Sequence, residues 1–226
     1  MKTISISISD EILTVCPHFC FAAIQCNVKN TGFSEKLWEE VDAFSYDFKE
    51  RYKIPDINKR PAIFATRQVY KKLGKDPNRY RPSAEALCRR IVKGMELYQI
   101  DVLVDLINLV SMKSGYSIGG FDADKIQGDL VLGVGKKDER FEAIGRGLLN
   151  IEGLPVYRDE MGGIGTPTSD EERTKITSGT TRVLILINGY SGDRNDVEKT
   201  ATYSVELLKK YAGAEEVNFA NVEPKR

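Results

Sequence analysis

Apolar residues change their spacing halfway along this chain, and that change limits the fold more than any single motif. Between Ser34 and Lys113 they recur every three or four positions: Leu37, Trp38, Val41, Phe44 and Phe48, then Ala84, Leu87, Ile91 and Met95. After Gly115 they come in short runs separated by glycine-rich or charged turns. The first pattern belongs to amphipathic helices and the second to strands. Helices gathered ahead of strands predict an α+β fold. Its core is expected to be a mixed or antiparallel, partly closed β-sheet flanked by helices, with residues 1–226 forming a single domain.

The spacing predicts strands at 2–8 and 18–27, with a short helical turn near 10–15 between them. Helices follow over 34–52, 61–73, from Pro82-Ser83 through Met95, and over 101–113. Strands are expected at 116–121, 129–134, 139–143, 154–158 and 182–188. A last helix over 196–211, capped by Asp193 or Asn195, precedes a strand at 216–220. Residues 160–166 read as a glycine-rich loop. On the strand at 18–27, His18, Cys20, Ala22, Ile24 and Cys26 share one face and Phe19, Phe21 and Ala23 the other. Cysteine is commonly a small buried hydrophobe. The group Cys16, His18, Cys20 and Cys26 lacks the second ligand pair of a zinc module, so no metal and no cofactor are expected.

The chain of 226 residues has formal net charge zero, with 41% hydrophobic and 29% charged residues, an ordinary globular composition. No apolar run reaches the roughly 18 residues of a membrane helix. The N-terminus alternates apolar and polar residues and lacks the continuous core of a signal peptide. The expected location is therefore cytoplasmic, with free thiols. Charge is uneven, however. From Arg60 to Lys93 ten basic residues face only Asp76 and Glu85, a net charge of +8, with Tyr70 and Tyr80 interleaved. Such a segment, here Arg79, Arg81, Arg89 and Arg90 above all, can meet RNA phosphates and stack on bases; it can equally be the solvated face of a helix.

The stretch 101–126 concentrates the chemistry. Asp101, Asp105 and Asn108 fall at i, i+4 and i+7, one polar stripe on an otherwise apolar helix. Gly119-Gly120-Phe121-Asp122 follows. Taken with Val104-Asp105-Leu106-Ile107-Asn108-Leu109-Val110, this stretch resembles the B3/4 domain of the bacterial phenylalanyl-tRNA synthetase beta chain. The likeness is strongest over 81–190 and leaves the first 60 residues unexplained. That domain edits: it hydrolyses tyrosine mistakenly attached to tRNA. The resemblance implies a β core with flanking helices. It implies tRNA or aminoacyl-tRNA as partner, rather than DNA or a membrane, and a pocket that includes Asn108. The Glu160-Met161-Gly162-Gly163-Ile164-Gly165 segment is similar to the family's glycine segment beside the editing site, where bare amides can meet an oxyanion.

Three positions depart from the family pattern. Its threonine is Ile107 here, its pocket histidine is Gly119, and its late-strand glutamate falls on Leu186 or Ile187. Substitutes are sought in Glu85 and Glu160, which together with Asn108 form the candidate catalytic set. Asp105, Phe121, Asp122, Gly162, Gly163 and Arg173 are candidate substrate contacts. No P-loop, dinucleotide fingerprint or Ser-His-Asp triad is present. Two functions follow. One is a free-standing tRNA-binding domain that hydrolyses mischarged aminoacyl-tRNA in trans, without being a complete synthetase. The other is a non-catalytic module, binding RNA or a small ligand, that has lost the editing residues.

Overall fold

The computed structural model describes residues 3–222. The helices are α1 (Asp10–Val15), α2 (Glu35–Arg51), α3 (Ile54–Ile57), α4 (Pro61–Lys72), α5 (Ser83–Val92), α6 (Val102–Ser114) and α7 (Arg194–Ala212). The strands are β1 (Ile6–Ile8), β2 (Cys20–Asn27), β3 (Gly119–Asp122), β4 (Leu130–Val134), β5 (Glu142–Ala143), β6 (Gly147–Leu148), β7 (Pro155–Asp159), β8 (Gly162–Gly165), β9 (Arg182–Gly189) and β10 (Glu215–Val222). The fold is α+β, and its sheets are mixed: β1 pairs with β4 in parallel, and the other strand pairs are antiparallel.

The strands do not make one partly closed sheet. They divide into two open four-stranded sheets, β10-β2-β9-β3 and β1-β4-β7-β8, with β5 and β6 as a separate pair. Strands β2 and β9 explain the division, because both are buried on both faces. One face carries Cys20, Ala22, Ile24 and Cys26 with Val183, Ile185 and Ile187, and packs under the helices with Leu37, Leu103, Leu106 and Leu208. The opposite face carries Phe21, Ala23, Leu184 and Leu186 and meets Leu130, Leu132, Tyr157 and Ile164 of the second sheet. The molecule is thus layered as helices, sheet, sheet. Each fully buried aliphatic side chain contributes roughly 1.5–3 kcal/mol.

Local chemistry sets the ends of the elements. Ser34 Oγ accepts from Leu37 N at the start of α2, and Asp101 accepts from Val104 N at 2.9 Å at the start of α6. Gly115, at φ 88°, ends α6 in the left-handed conformation that favours glycine. Asp193, rather than Asn195, caps α7. Helix α5 stops at Val92, so Met95, expected on its apolar face, lies beyond it and exposed. His18 sits in an exposed turn ahead of β2 rather than on a core strand. The strand expected over 139–143 shrinks to β5, because a turn in which Lys136 N binds Glu139 Oε2 occupies its approach. The strand expected at 2–8 narrows to β1, and Lys2 lies outside the described residues. The glycine-rich segment read as a loop is largely strand β8, paired with β7.

Candidate functional site

A cleft of about 210 Å³ opens where the helix layer meets the edge strand β3. Asn108 and Ser111 of α6 form one wall, and Ser83 at the start of α5 closes an end. Gly120 of β3 lies at the base. A side chain there would meet Ile107 Cδ1 at 2.5 Å and Ile176 Cδ1 at 3.2 Å, so glycine keeps the cleft open.

The opposite wall is the turn 166–170 that follows β8. Thr166 Oγ1 donates to Ser169 O and accepts from the amides of Thr168 and Ser169 at 3.2 and 3.1 Å. Pro167 O accepts from Ser83 N at 2.8 Å, and the Thr168 hydroxyl meets the buried Tyr70 hydroxyl at 2.9 Å. These ties fix the turn before any ligand arrives.

The turn delivers Asp170, the one charged residue among the described residues that lines the cleft. Its carboxylate lies over two glycines: a Cβ on Gly165 would stand 2.7 Å from Oδ1, and one on Gly119 3.7 Å away. Among the described residues its hydrogen-bond donor is Gly120 N, at 3.5 Å, longer than a good N–H···O bond. Burial of the carboxyl raises its pKa to about 7, and the Gly120 amide opposes that rise. Asn108 is half-buried, and its amide makes no hydrogen bond among the described residues. An amide without a hydrogen bond among the described residues and a carboxyl held by one long bond therefore share one small polar cleft.

Asn108 and Ser83 also line a second hollow, a groove of about 370 Å³ walled by Arg81, Arg89, Arg90, Lys93 and Arg146. The cleft thus leads into a basic groove, and the two together fall within the usual range of about 300–1,000 Å³ for ligand sites. Tyr98 borders the groove, with the Arg90 guanidinium 4.2 Å from its ring centroid. A larger hollow of about 640 Å³ lies between α2 and residues 94–99, beyond Tyr98. Asp42, Lys49 and Glu96 line it, a net negative charge, whereas the groove beside the smaller cleft carries five basic residues.

The other sequence-predicted residues are placed as follows. Glu85 is buried away from the cleft among guanidiniums, 2.9 Å from Arg67, 3.4 Å from Arg81 and 3.9 Å from Arg89. Glu160 is in the exposed turn between β7 and β8, its side chain against Gly128. Asp105 turns to Trp38, accepting from Nε1 at 2.8 Å and from Ile100 N at 3.0 Å. Burial raises its pKa, and those two hydrogen bonds oppose the rise. The polar stripe on α6 is therefore not solvated: Asp101 caps the helix, Asp105 serves its packing, and Asn108 faces the cleft.

Phe121 is buried beneath Gly119 and Gly165. Asp122 accepts from Thr180 Oγ1 at 2.8 Å and caps the turn at Asp124. Gly163 packs on Phe141 and Val156, and Gly162 sits at the β7–β8 turn with φ 134°, so neither reaches the cleft. Arg173 makes two 2.9 Å contacts to Asp159. Burial of Asp159 works to raise its pKa, but hydrogen bonds from Arg173 and from the Gln127 and Met161 amides outweigh it, and the net shift is downward. Arg79 stands outside the groove, over the Tyr80 ring. Leu186 and Ile187 are fully buried in the core.

Comparison with known proteins follows the same lines. The family model of the B3/4 domain matches residues 65–213, and the chain belongs to that family. Among solved structures, the chain is similar to an N-terminal fragment of the phenylalanyl-tRNA synthetase beta-subunit from Pyrococcus horikoshii, with a TM-score of 0.54 and 14% identity. That match covers 98% of this chain and 55% of the other, so this chain spans about half of its relative. No curated protein matches the sequence. The two chains share a fold. Among the described residues no helix is long and apolar enough to cross a membrane.

Proposed function

We propose that this B3/4 domain binds aminoacyl-tRNA and hydrolyses the ester of mischarged tRNA in trans, in the cytoplasm. The observation that carries the reading is the junction at Asn108. A polar cleft sized for an aminoacyl group opens there into a groove of five basic residues that suits a phosphodiester strand. The similar archaeal structure, a fragment of a phenylalanyl-tRNA synthetase beta-subunit, supports the substrate class. In this reading Asn108 orients water or the terminal ribose. Arg81, Arg89 and Arg90 hold the strand, and Glu85 arranges Arg81 and Arg89.

The test is deacylation of a panel of tRNAs, each carrying a non-cognate amino acid. Hydrolysis of at least one, slowed in Asn108→Ala, is expected. A second reading has its own support. Ile107, Gly119 and the Leu186–Ile187 pair lack the groups that the synthetase module carries there. tRNA binding without hydrolysis of any member of the panel would make this a binding module.

A further inference from the structure

We propose that Asp170 is the proton-accepting catalytic residue of the cleft, acting on an ester whose acyl carbon is held between Asn108 and the turn 166–170. The inference rests on the deacylase reading above. It stands first on geometry. Asp170 is the charged residue of the cleft, fixed there by its 3.0 Å backbone bond to Ile144 N and by the bridge between Gly165 and Asp170. A side chain on Gly165 would run into its carboxylate, and no cation pairs with it among the described residues.

The residue is half-buried, with the long bond from the Gly120 amide as its hydrogen bond and no cation beside it among the described residues, so little offsets the cost of drawing the carboxylate out of water. The charged groups on the surrounding elements are engaged elsewhere. On the helices, Asp105 binds Trp38, Lys113 binds Tyr203 and Glu85 is held among arginines. On β3, Asp122 binds Thr180. In the segment after Asp170, Glu171 accepts from Arg173 N, Glu172 pairs with Lys175, and Arg173 pairs with Asp159. A pKa of about 7 leaves the carboxyl able both to take and to return a proton at neutral pH.

The step balances without a co-reactant. The water oxygen bonds to the ester carbonyl carbon as Asp170 takes a water proton. The tetrahedral intermediate then breaks its bond to the ribose oxygen, which receives that proton from Asp170. The products are a free amino acid and a tRNA with its terminal hydroxyl restored.

The test measures deacylation of the same mischarged panel against pH, with wild type, Asp170→Asn and Asp170→Glu, alongside thermal melts. In wild type the rate should rise and level off near pH 7, in place of the continuous rise of uncatalysed hydroxide attack. Asp170→Asn should remain folded, bind tRNA as before, lose that limb and fall by about 10²–10⁴-fold. Asp170→Glu should restore the limb at reduced rate. A wild-type profile without a plateau overturns the proposal even if the variants fail to fold. So does an Asp170→Asn enzyme that keeps the profile and changes only KM. Those two results leave the deacylase reading standing, whereas a wild type that hydrolyses nothing overturns both.

Discussion

Asp170 and Glu85 show how differently two acids of one chain can be employed. Glu85 is paired on three sides, and its carboxylate is 2.9 Å from the buried Arg67. Removing one partner of a buried ion pair leaves the other uncompensated, at about 3–5 kcal/mol. Glu85→Gln is therefore expected to lower stability by that order, measured by denaturant unfolding, and to leave the pH limb of any deacylation in place. Asp170 predicts a pH effect of definite sign. Folded, it keeps its proton up to about pH 7; unfolded, it releases it near the ordinary 3.8. The folded state thus binds the extra proton in that window. Its contribution to stability is full below the lower value and is lost as pH rises through the upper one. Asp170→Asn cannot titrate, so the melting temperature of wild type minus that of the variant should fall between about pH 4 and pH 8. A constant difference would mean that the carboxyl ionises alike in both states. Asn108 was singled out in the sequence by its match to the family's asparagine, and it does line the cleft. Asp170 was not, since its carboxylate is defined by Gly120 on β3, fifty residues earlier, and local spacing carries no sign of that meeting.

At the scale of elements, legibility followed burial. Strand β2 could be read on both faces because each face repeats apolar residues, and the two faces do enter different cores. Strand β8 was hidden for the opposite reason. Gly162-Gly163-Ile164-Gly165 has almost no side chains to alternate, and its strand character comes from pairing with β7. The glycines meet different neighbours: Gly163 fits against Phe141 and Gly165 against the Phe121 ring. Helix α6 is held against α2 by the Trp38–Asp105 hydrogen bond of 2.8 Å. Trp38→Phe keeps an aromatic ring but removes that donor from a buried acceptor, a change of about 1–3 kcal/mol. Urea unfolding should show a loss of that size, and an unchanged midpoint would mean that solvent or a shifted neighbour satisfies Asp105.

Over the whole molecule, a net charge of zero conceals a basic groove beside a polar cleft. The sequence revealed the basic segment 60–93, but not which of its members would face a ligand. Folding turns Arg67 inward to Glu85 and leaves Arg79 outside the groove, while Arg146, far along the chain, joins it. Arg90, Lys93 and Arg146 line the groove without pairing with Glu85. Replacing all three by alanine should spare the fold and weaken tRNA binding. It should also reduce the slope of log affinity against log salt by about 2, at about 0.7 for each single-strand phosphate contact. An unchanged slope would remove the groove from the RNA path.

Under the proposed function, the aminoacyl end of tRNA enters the cleft between α6 and the turn 166–170. The most direct measurement is the affinity of a non-hydrolysable 3′-aminoacylamino tRNA analogue for wild type, Asn108→Ala and Glu160→Ala. The predicted result is tighter binding of the analogue than of uncharged tRNA, with that preference lost in Asn108→Ala and kept in Glu160→Ala. A preference that survives Asn108→Ala, or disappears with Glu160→Ala, would place the aminoacyl group elsewhere and contradict the account.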